Sequence, residues 1–228
     1  MAERKVHRAP RMSINALAQY LVATPAGRER ILRDQKYPPV FRARWYEHAS
    51  RAIVRYLIDP DHDGDYLVSA EERIRALPAT RKNDKQKLRD NADALVAFGA
   101  VAPAIAFDGL ASERGPEQGN SLVEGVTISV RPEVVLSGQY RNEHSVGGFK
   151  IYLSKNERLS DDGTATIGSM LHLFMEQNAP TGHLCNLRHC RVIDVFGRSC
   201  TPAPRAVNRR RAEIQAACRE IAHRWPTI

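Results

Sequence analysis

Two strand-like segments carry a carboxylate and an amine that could act together on a phosphate ester. Glu133 lies in the segment RPEVVL, and Lys150 lies in the segment GGFKIYL. A carboxylate can hold a hard cation such as Mg²⁺ or Mn²⁺, and a lysine beside it can stabilise the charge that develops on an attacked phosphate. Neighbouring antiparallel strands would bring both side chains to the same side of one sheet. Glu133 and Lys150 are therefore candidate catalytic residues, and Glu133 is also a candidate metal ligand.

These segments resemble the PD-(D/E)XK nuclease superfamily, which includes RecB-like exonucleases and many restriction enzymes. Pro132-Glu133 matches the acidic turn of the superfamily, and Lys150 matches its lysine. The resemblance extends over roughly Lys85 to Trp225, through an order of helix, strands, helix and strand. It implies a restriction-endonuclease-like core and a metal-dependent nuclease that processes nucleic acid with Mg²⁺ or Mn²⁺ as cofactor.

Gly148 departs from the pattern of this superfamily. It lies two residues before Lys150, where the pattern has a second carboxylate. One glutamate would hold Mg²⁺ weakly, so a working site needs a carboxylate from another position. Glu143 is the nearest candidate in sequence for this second metal ligand, and Glu124 is the alternative.

The same glycine leaves other interpretations open. One is a non-catalytic protein that keeps the nuclease-like fold and binds nucleic acid or serves in an assembly. A protein–protein adaptor with incidental basic charge is a further alternative. In the simplest interpretation, the two segments form a charged hairpin in which Lys150 is solvated or paired with Glu133.

An aspartate-rich segment is similar to the start of an EF-hand calcium loop. Asp59, Asp61 and Asp63 alternate along it, and Gly64 follows. The twelfth position of such a loop supplies a bidentate glutamate, but this chain has Ala70 there. We therefore expect an acidic connection between two helices that binds no calcium.

The segment HLCNLRHC contains residue types that zinc prefers. His183, Cys185, His189 and Cys190 fall within eight residues, whereas zinc sites usually separate two ligand pairs by a longer loop. A buried cysteine beside surface histidines is the favoured interpretation. Cys185 with His183 as a nucleophile pair is also disfavoured, because no third group orients the histidine.

The charge of the chain indicates a polyanionic partner. Lys and Arg number 34 against 26 Asp and Glu, which gives a net charge of +8 and a pI near 9.6. Such a surface attracts nucleic acid, although basic proteins also exist that bind none. The candidate phosphate contacts form two clusters. One contains Arg209, Arg210 and Arg211, and the other contains Lys85 and Lys87. We expect Arg210 and Arg211 on the outer face of a terminal helix, without sequence-specific readout.

Hydrophobic periodicity divides the chain into a helical N-terminal region, residues 1–100, and an α+β core, residues 101–228, with a single compact domain as the alternative. The predicted helices are a Ser13-capped helix from Ile14, Gly27–Lys36, Phe41–Ile58, Ser69–Leu77, Lys85–Phe98, Thr164–Asn178 and Asn208–Trp225. The predicted strands are Ala104–Phe107, Val126–Leu136, Gly148–Ser154 and Arg191–Phe196, with a loop over 108–121. The expected fold is α+β, with one mixed sheet flanked by helices.

Several protein classes are disfavoured by composition. No apolar run approaches the ~20 residues that cross a bilayer, and the basic first residues lack the apolar segment of a secretory signal. Four cysteines are too few for a disulfide scaffold in 228 residues. We therefore expect a cytoplasmic protein with no membrane partner, and a homodimer remains open.

Overall fold

Helices surround a mixed β-sheet in this protein. The structure is a computed structural model that describes residues 6–38 and 45–228. The helices are α1 (Ile14–Val22), α2 (Pro25–Lys36), α3 (Glu47–Ile58), α4 (Gly64–Arg75), α5 (Lys82–Val101), α6 (Asp161–Gln177) and α7 (Val207–Arg224). The strands are β1 (Arg11–Ser13), β2 (Ala111–Arg114), β3 (Asn120–Val123), β4 (Val126–Ser129), β5 (Val134–Tyr140), β6 (Glu143–Tyr152), β7 (Leu184–Asp194) and β8 (Ser199–Pro202). The predicted α+β fold with a sheet flanked by helices is confirmed.

The larger sheet has five strands in the order β2-β5-β6-β7-β8. Its pairs are antiparallel except β6 and β7, which run parallel. A parallel pair needs a crossover connection, and α6 supplies it between these two strands. The smaller sheet has the order β1-β4-β3, so a strand from the N-terminus pairs with the β3–β4 hairpin.

Hydrophobic residues pack in two clusters on opposite faces of the larger sheet. Strand alternation places Phe149 and Ile151 in the cluster beneath α3, α4 and α5, and places Tyr152 in the cluster beneath α1, α6 and α7. Leu17 from α1 belongs to the second of these clusters and Ile53 from α3 to the first. Residues before and after position 100 thus share both clusters, which favours one compact domain over two separate regions.

Two of the predicted strands differ from the observed ones because of local backbone chemistry. The segment Val126–Leu136 divides into β4 and β5, which belong to different sheets. Arg131 has φ 44° in the left-handed region, and Pro132 has no N–H to donate to a ladder, so neither residue continues an extended strand. The predicted strand Ala104–Phe107 is wrong, because a 3₁₀ helix over Ala102–Ala104 ends the preceding helix there.

Several other helices and strands begin earlier in the chain than predicted. Strand β2 lies inside the predicted loop, and β6 and β7 each begin several residues earlier than predicted. Helix α4 begins at Gly64 because the Asp63 side chain accepts a hydrogen bond from the Asp65 N–H and caps it. The first residues of the predicted helix Phe41–Ile58, 41–44, lie outside the described residues, and α3 begins at Glu47. Within the ranges 6–38 and 45–228, no helix is long and apolar enough to span a bilayer.

Candidate functional site

Glu133 and Lys150 meet at the start of the β5–β6 ladder. The register pairs Val134 with Phe149, so the residues just outside that pair lie opposite each other. The Lys150 Nζ lies 2.7 Å from Glu133 Oε1 and donates a second hydrogen bond, 2.8 Å long, to the Arg131 carbonyl. The Lys150 side chain is only 9% exposed and that of Glu133 is 23% exposed. The structure therefore brings the two predicted catalytic residues together as a largely buried ion pair.

Both oxygens of the Glu133 carboxylate are engaged by the protein itself. Oε1 accepts from Lys150, and Oε2 accepts from the Ile151 backbone N–H at 2.8 Å. The Glu133 N–H donates in turn to the Phe149 carbonyl at 3.0 Å. This set of bonds ties the turn before β5 to the end of β6, a structural role that leaves the carboxylate few free lone pairs for a metal.

The backbone around Gly148 has no room for a side chain. A Cβ at this position would lie 2.7 Å from the Val134 carbonyl oxygen and 3.6 Å from the Met175 sulfur. The first distance is shorter than a real Cβ contact allows, so the strands would have to shift. The second carboxylate of the superfamily pattern is therefore excluded by packing as well as by sequence.

Neither of the replacement carboxylates reaches Lys150. Glu143 begins β6 opposite Tyr140, and Lys150 lies seven residues further along the same strand, roughly 23 Å away at about 3.3 Å per residue. Glu124 lies in the β3–β4 turn and pairs with Arg219 at 3.1 Å. The prediction of Glu143 as a metal ligand beside Glu133 is wrong, because the extended strand holds the two glutamates apart.

The acidic and imidazole groups in the described part of the chain do not fit a Mg²⁺ site. Over residues 6–38 and 45–228, no group of three His, Cys, Asp or Glu side chains is arranged to hold a metal ion. Mg²⁺ asks for oxygen ligands in near-octahedral order, and Glu133 alone, with both oxygens engaged, does not supply them.

Glu133 also lines an open cleft of about 730 Å³. The cleft lies between the start of α3, the β2–β3 connection and the turn before β5. Its charged lining residues are Glu47, Arg51, Arg114, Glu117, Arg131 and Glu133. Glu133 and Glu47 are paired inside the protein, with Lys150 and Arg51 respectively, so the charged lining residues without an ion-pair partner among the described residues are Arg114, Arg131 and Glu117.

A second cleft of about 620 Å³ adjoins the first and lies between α3 and α4. It shares Arg51 and Arg114 with the first cleft and adds Arg55, Arg73 and His48, and no carboxylate lines it among the described residues. The guanidinium groups of Arg55 and Arg73 lie 4.8 and 5.8 Å from the centre of the Tyr66 ring. These cation–π contacts hold two like charges near one aromatic ring.

The two clefts together form one basic surface, which we call the arginine groove. It is defined by Arg51, Arg55, Arg73, Arg114 and Arg131. All five side chains are exposed. Among the residues that the structure describes, Arg51 is the member with an ion-pair partner, Glu47. Sequence reasoning missed this groove, and the one local signal was the spacing of Arg51 and Arg55 by one helical turn.

Trp45 lies at the border between the first cleft and a third one that contains Gln86 and Lys155. The Trp45 indole N–H donates to Asp90 at 3.0 Å, and Trp45 remains 38% exposed. Burial alone would raise the pKa of Asp90, but hydrogen bonds from Trp45 and Lys155 hold it below its usual value. An ionised Asp90 therefore fixes an exposed aromatic ring beside the arginine groove.

The predicted basic cluster on α7 divides into one exposed residue and two residues that contact α6. Arg209 is 84% exposed and pairs with Glu213 on its own helix. Arg210 pairs with Asp162, and Arg211 donates to Glu176 at 2.9 Å, so both hold α7 against α6. The prediction of Arg210 and Arg211 on the outer face is wrong, because their side chains are only 19% and 22% exposed.

The other predicted basic cluster remains available for a ligand. Lys85 is exposed and Lys87 is half-buried, and neither forms an ion pair with a described residue. They lie in the first turns of α5, whose Gln86 lines the third cleft. Gln86 shares this third cleft with Trp45, whereas Lys85 and Lys87 do not line it.

The residues of the two alternative metal motifs form hydrogen bonds and ring contacts within the protein. Asp63 caps α4, and Asp59 accepts from the Asp61 N–H at 3.1 Å, so the aspartate loop is stabilised by its own hydrogen bonds. In the HLCNLRHC segment, the buried His189 bonds to Ser145 at 2.8 Å, while His183 lies near the ring of His144. The two cysteine sulfurs of that segment lie 3.5 Å apart.

The fold and this site define the class of the protein as an α+β protein that presents an exposed arginine groove beside a buried Glu–Lys pair. Comparison with protein-family models found no match, and comparison with curated proteins found none either.

Proposed function

We propose that the protein binds the sugar-phosphate backbone of nucleic acid in the arginine groove without cutting it. The observation that carries this proposal is the groove itself, with five exposed arginines, four of which have no ion-pair partner among the described residues. Guanidinium groups match phosphate geometry, and their contacts release condensed counterions. Such contacts do not depend on base sequence, so the proposed binding is non-specific.

The order of elements supports a nuclease-like origin for this binding surface. In the larger sheet, helix α5 is followed by β2, β5 and β6, then by α6 and the parallel strand β7, an order similar to that of the superfamily that the sequence resembles. The β3–β4 hairpin of the smaller sheet lies between β2 and β5 in the chain. In this proposal Glu133 and Lys150 keep a structural role. Gly148, packed against the Val134 carbonyl, marks the loss of the second carboxylate. The fold thus serves binding or assembly on nucleic acid.

Metal-dependent cleavage is the second candidate function. It is favoured by one observation, namely that Glu47, Glu117 and Glu133 line the same cleft as three arginines. The Glu133 carboxylate does not support it, because both of its oxygens already accept hydrogen bonds from the protein. The same purified protein tests both candidates.

The test is a titration of labelled single- and double-stranded DNA and RNA by fluorescence anisotropy at about 50 and 200 mM salt. The groove variant is Arg55→Gln/Arg114→Gln/Arg131→Gln. The matched control is Arg30→Gln/Arg158→Gln/Arg205→Gln, which removes the same charge from exposed arginines outside the groove. We expect the groove variant to bind more weakly, and its salt slope to fall by about 1 for each phosphate that is no longer neutralised.

Each other outcome has a defined meaning. Equal losses in the two triple variants would show that net charge rather than the groove determines binding. An absence of salt-dependent binding would favour a protein–protein adaptor. Cleavage of plasmid or single-stranded substrate that requires Mg²⁺ or Mn²⁺ and disappears in Glu133→Gln would establish the second candidate instead.

A further inference from the structure

Two cysteine sulfurs lie side by side within strand β7. Cys185 Sγ and Cys190 Sγ are 3.5 Å apart. The register explains how residues five apart in one strand can meet. Val146 of β6 pairs with Cys185, and Gly148 pairs with Cys190, so a step of two residues on β6 matches a step of five on β7. The residues between the cysteines bulge out of the sheet and bring the two side chains together.

The bulge is fixed by contacts on both sides. Beneath it lies Gly147, where an added Cβ would come within 2.3 Å of the His189 carbonyl oxygen, so only glycine allows this approach. Outside it, Arg188 and Arg191 both bind the Asp108 carboxylate, with the Arg191 contact at 2.8 Å. The proximity of the two sulfurs is therefore built into the fold.

The two thiols differ in access. Cys190 is fully buried. Cys185 is half-buried and lines an open cavity of about 370 Å³ that also contains Glu143 and His172. A small molecule can reach Cys185 through this cavity, whereas Cys190 is reached only by way of Cys185.

Neighbouring groups favour the thiolate form of Cys185. The pKa of the Cys185 thiol is lowered to about 6, and the largest cause is the hydrogen bond from Cys190. Burial raises the pKa of Cys190, which therefore keeps its proton and donates it toward Cys185. Arg211, which can only donate, bonds to His172 Nδ1, so His172 Nε2 carries a hydrogen and donates it to the Cys185 carbonyl.

We propose that Cys185 and Cys190 form a redox-active dithiol that closes reversibly to a disulfide by exchange with a small-molecule disulfide such as oxidised glutathione. Cys185 thiolate attacks one glutathione sulfur, forming a mixed disulfide and releasing one glutathione thiolate. Cys190 then transfers its proton to that thiolate and attacks the Cys185 sulfur, which expels the second glutathione. The protein loses two electrons, and the glutathione disulfide gains them as one thiol and one thiolate, which takes its proton from water.

The experiment treats the fully reduced protein with oxidised glutathione and counts free thiols by alkylation under native conditions and after unfolding. All four cysteines are free thiols at the start. We expect two thiols to disappear, with a peptide that contains both Cys185 and Cys190 lighter by two hydrogens. Dithiothreitol should restore both thiols. The controls Cys200→Ser and Cys218→Ser should oxidise the same pair.

Single replacements separate the roles of the two thiols. Cys190→Ser should stop at a mixed disulfide, carrying one glutathione on Cys185 that is not released. Cys185→Ser should keep all its thiols in its native state, and its thermal unfolding curve confirms that it is folded. Glutathione adducts spread over all four cysteines, or a wild-type adduct on Cys185 that Cys190 never displaces, would overturn the proposal.

Discussion

Glu133 is the candidate metal ligand of the sequence, but its hydrogen bonds in the fold are those of a structural residue. Its carboxylate joins Lys150 and the Ile151 N–H, which fastens the turn before β5 to the end of β6. Removing one partner of a largely buried pair leaves the other charge uncompensated, which costs more than the pair itself contributes. The stability of variants at this pair therefore reports its role directly.

We predict that Glu133→Ala lowers the free energy of unfolding by about 3 kcal/mol, because Lys150 loses its counter-charge and Ile151 loses its acceptor. Glu133→Gln keeps an acceptor for both donors and should cost less. Urea unfolding followed by circular dichroism measures the difference. Nucleic-acid binding by the folded Glu133→Gln protein should remain near the wild-type level. An unchanged midpoint in Glu133→Ala would contradict the structural role.

Gly148 gives the second prediction at this scale. Introducing the aspartate of the superfamily pattern with Gly148→Asp should destabilise the protein by about 1–3 kcal/mol and yield no Mg²⁺-dependent cleavage, because any Cβ meets the Val134 carbonyl. Gly148→Ala should show most of the same destabilisation. Gly99→Ala is the control, since open space surrounds a Cβ there, and alanine should stabilise α5 by up to about 1 kcal/mol. A stable, active Gly148→Asp protein would reverse our interpretation of this glycine.

At the scale of elements, arginines on a single helix serve different purposes. Arg210 and Arg211 hold α7 to α6, while Arg209 points to solvent. We predict that Arg211→Gln costs about 1–2 kcal/mol of stability, because the hydrogen bonds to Glu176 and His172 are removed. Arg209→Gln should change stability by no more than about 0.5 kcal/mol. Thermal unfolding measures the stability of both variants, and each variant removes one positive charge.

The aspartate loop between α3 and α4 is predicted to stay free of calcium at millimolar concentration. Asp63 is used as the cap of α4, and Glu71 pairs with Arg75, so the loop lacks the bidentate ligand that completes a calcium shell. Isothermal titration calorimetry checks this prediction. Micromolar binding that is abolished by Asp61→Ala would show it to be incorrect.

At the scale of the whole molecule, the hydrophobic clusters join elements from both halves of the chain. Trp225 lies buried in the cluster beneath α1, α6 and α7, and Trp45 borders the opposite side of the sheet. We predict that fluorescence of the single-tryptophan variants Trp45→Phe and Trp225→Phe reports the same urea midpoint, once corrected for the stability of each variant. A fragment of residues 101–228 should bind a hydrophobic dye, because it lacks α1 and α3–α5. Two well-separated midpoints would instead support two domains.

Local patterns determined a large part of this protein. Alternating side chains predicted β4 and the last residues of β6, and helical spacing predicted α1, α6 and α7, because these features depend on residues near each other in the chain. The pairing of Glu133 with Lys150 also follows from two short strands and the turn between them. The net charge of +8 predicts a polyanionic partner from composition, and this stays a prediction.

Long-range packing decided what local patterns left open. The arginine groove combines side chains of α3, α4, β2 and the turn before β5, and no spacing in the sequence shows that these elements share a surface. Arg211 faces inward only because α6 places Glu176 beside it. Cys185 and Cys190 meet only because β6 holds Gly147 beneath the bulge of β7. In each case packing between segments distant in sequence fixes the side chain, and only the tertiary structure determines that packing.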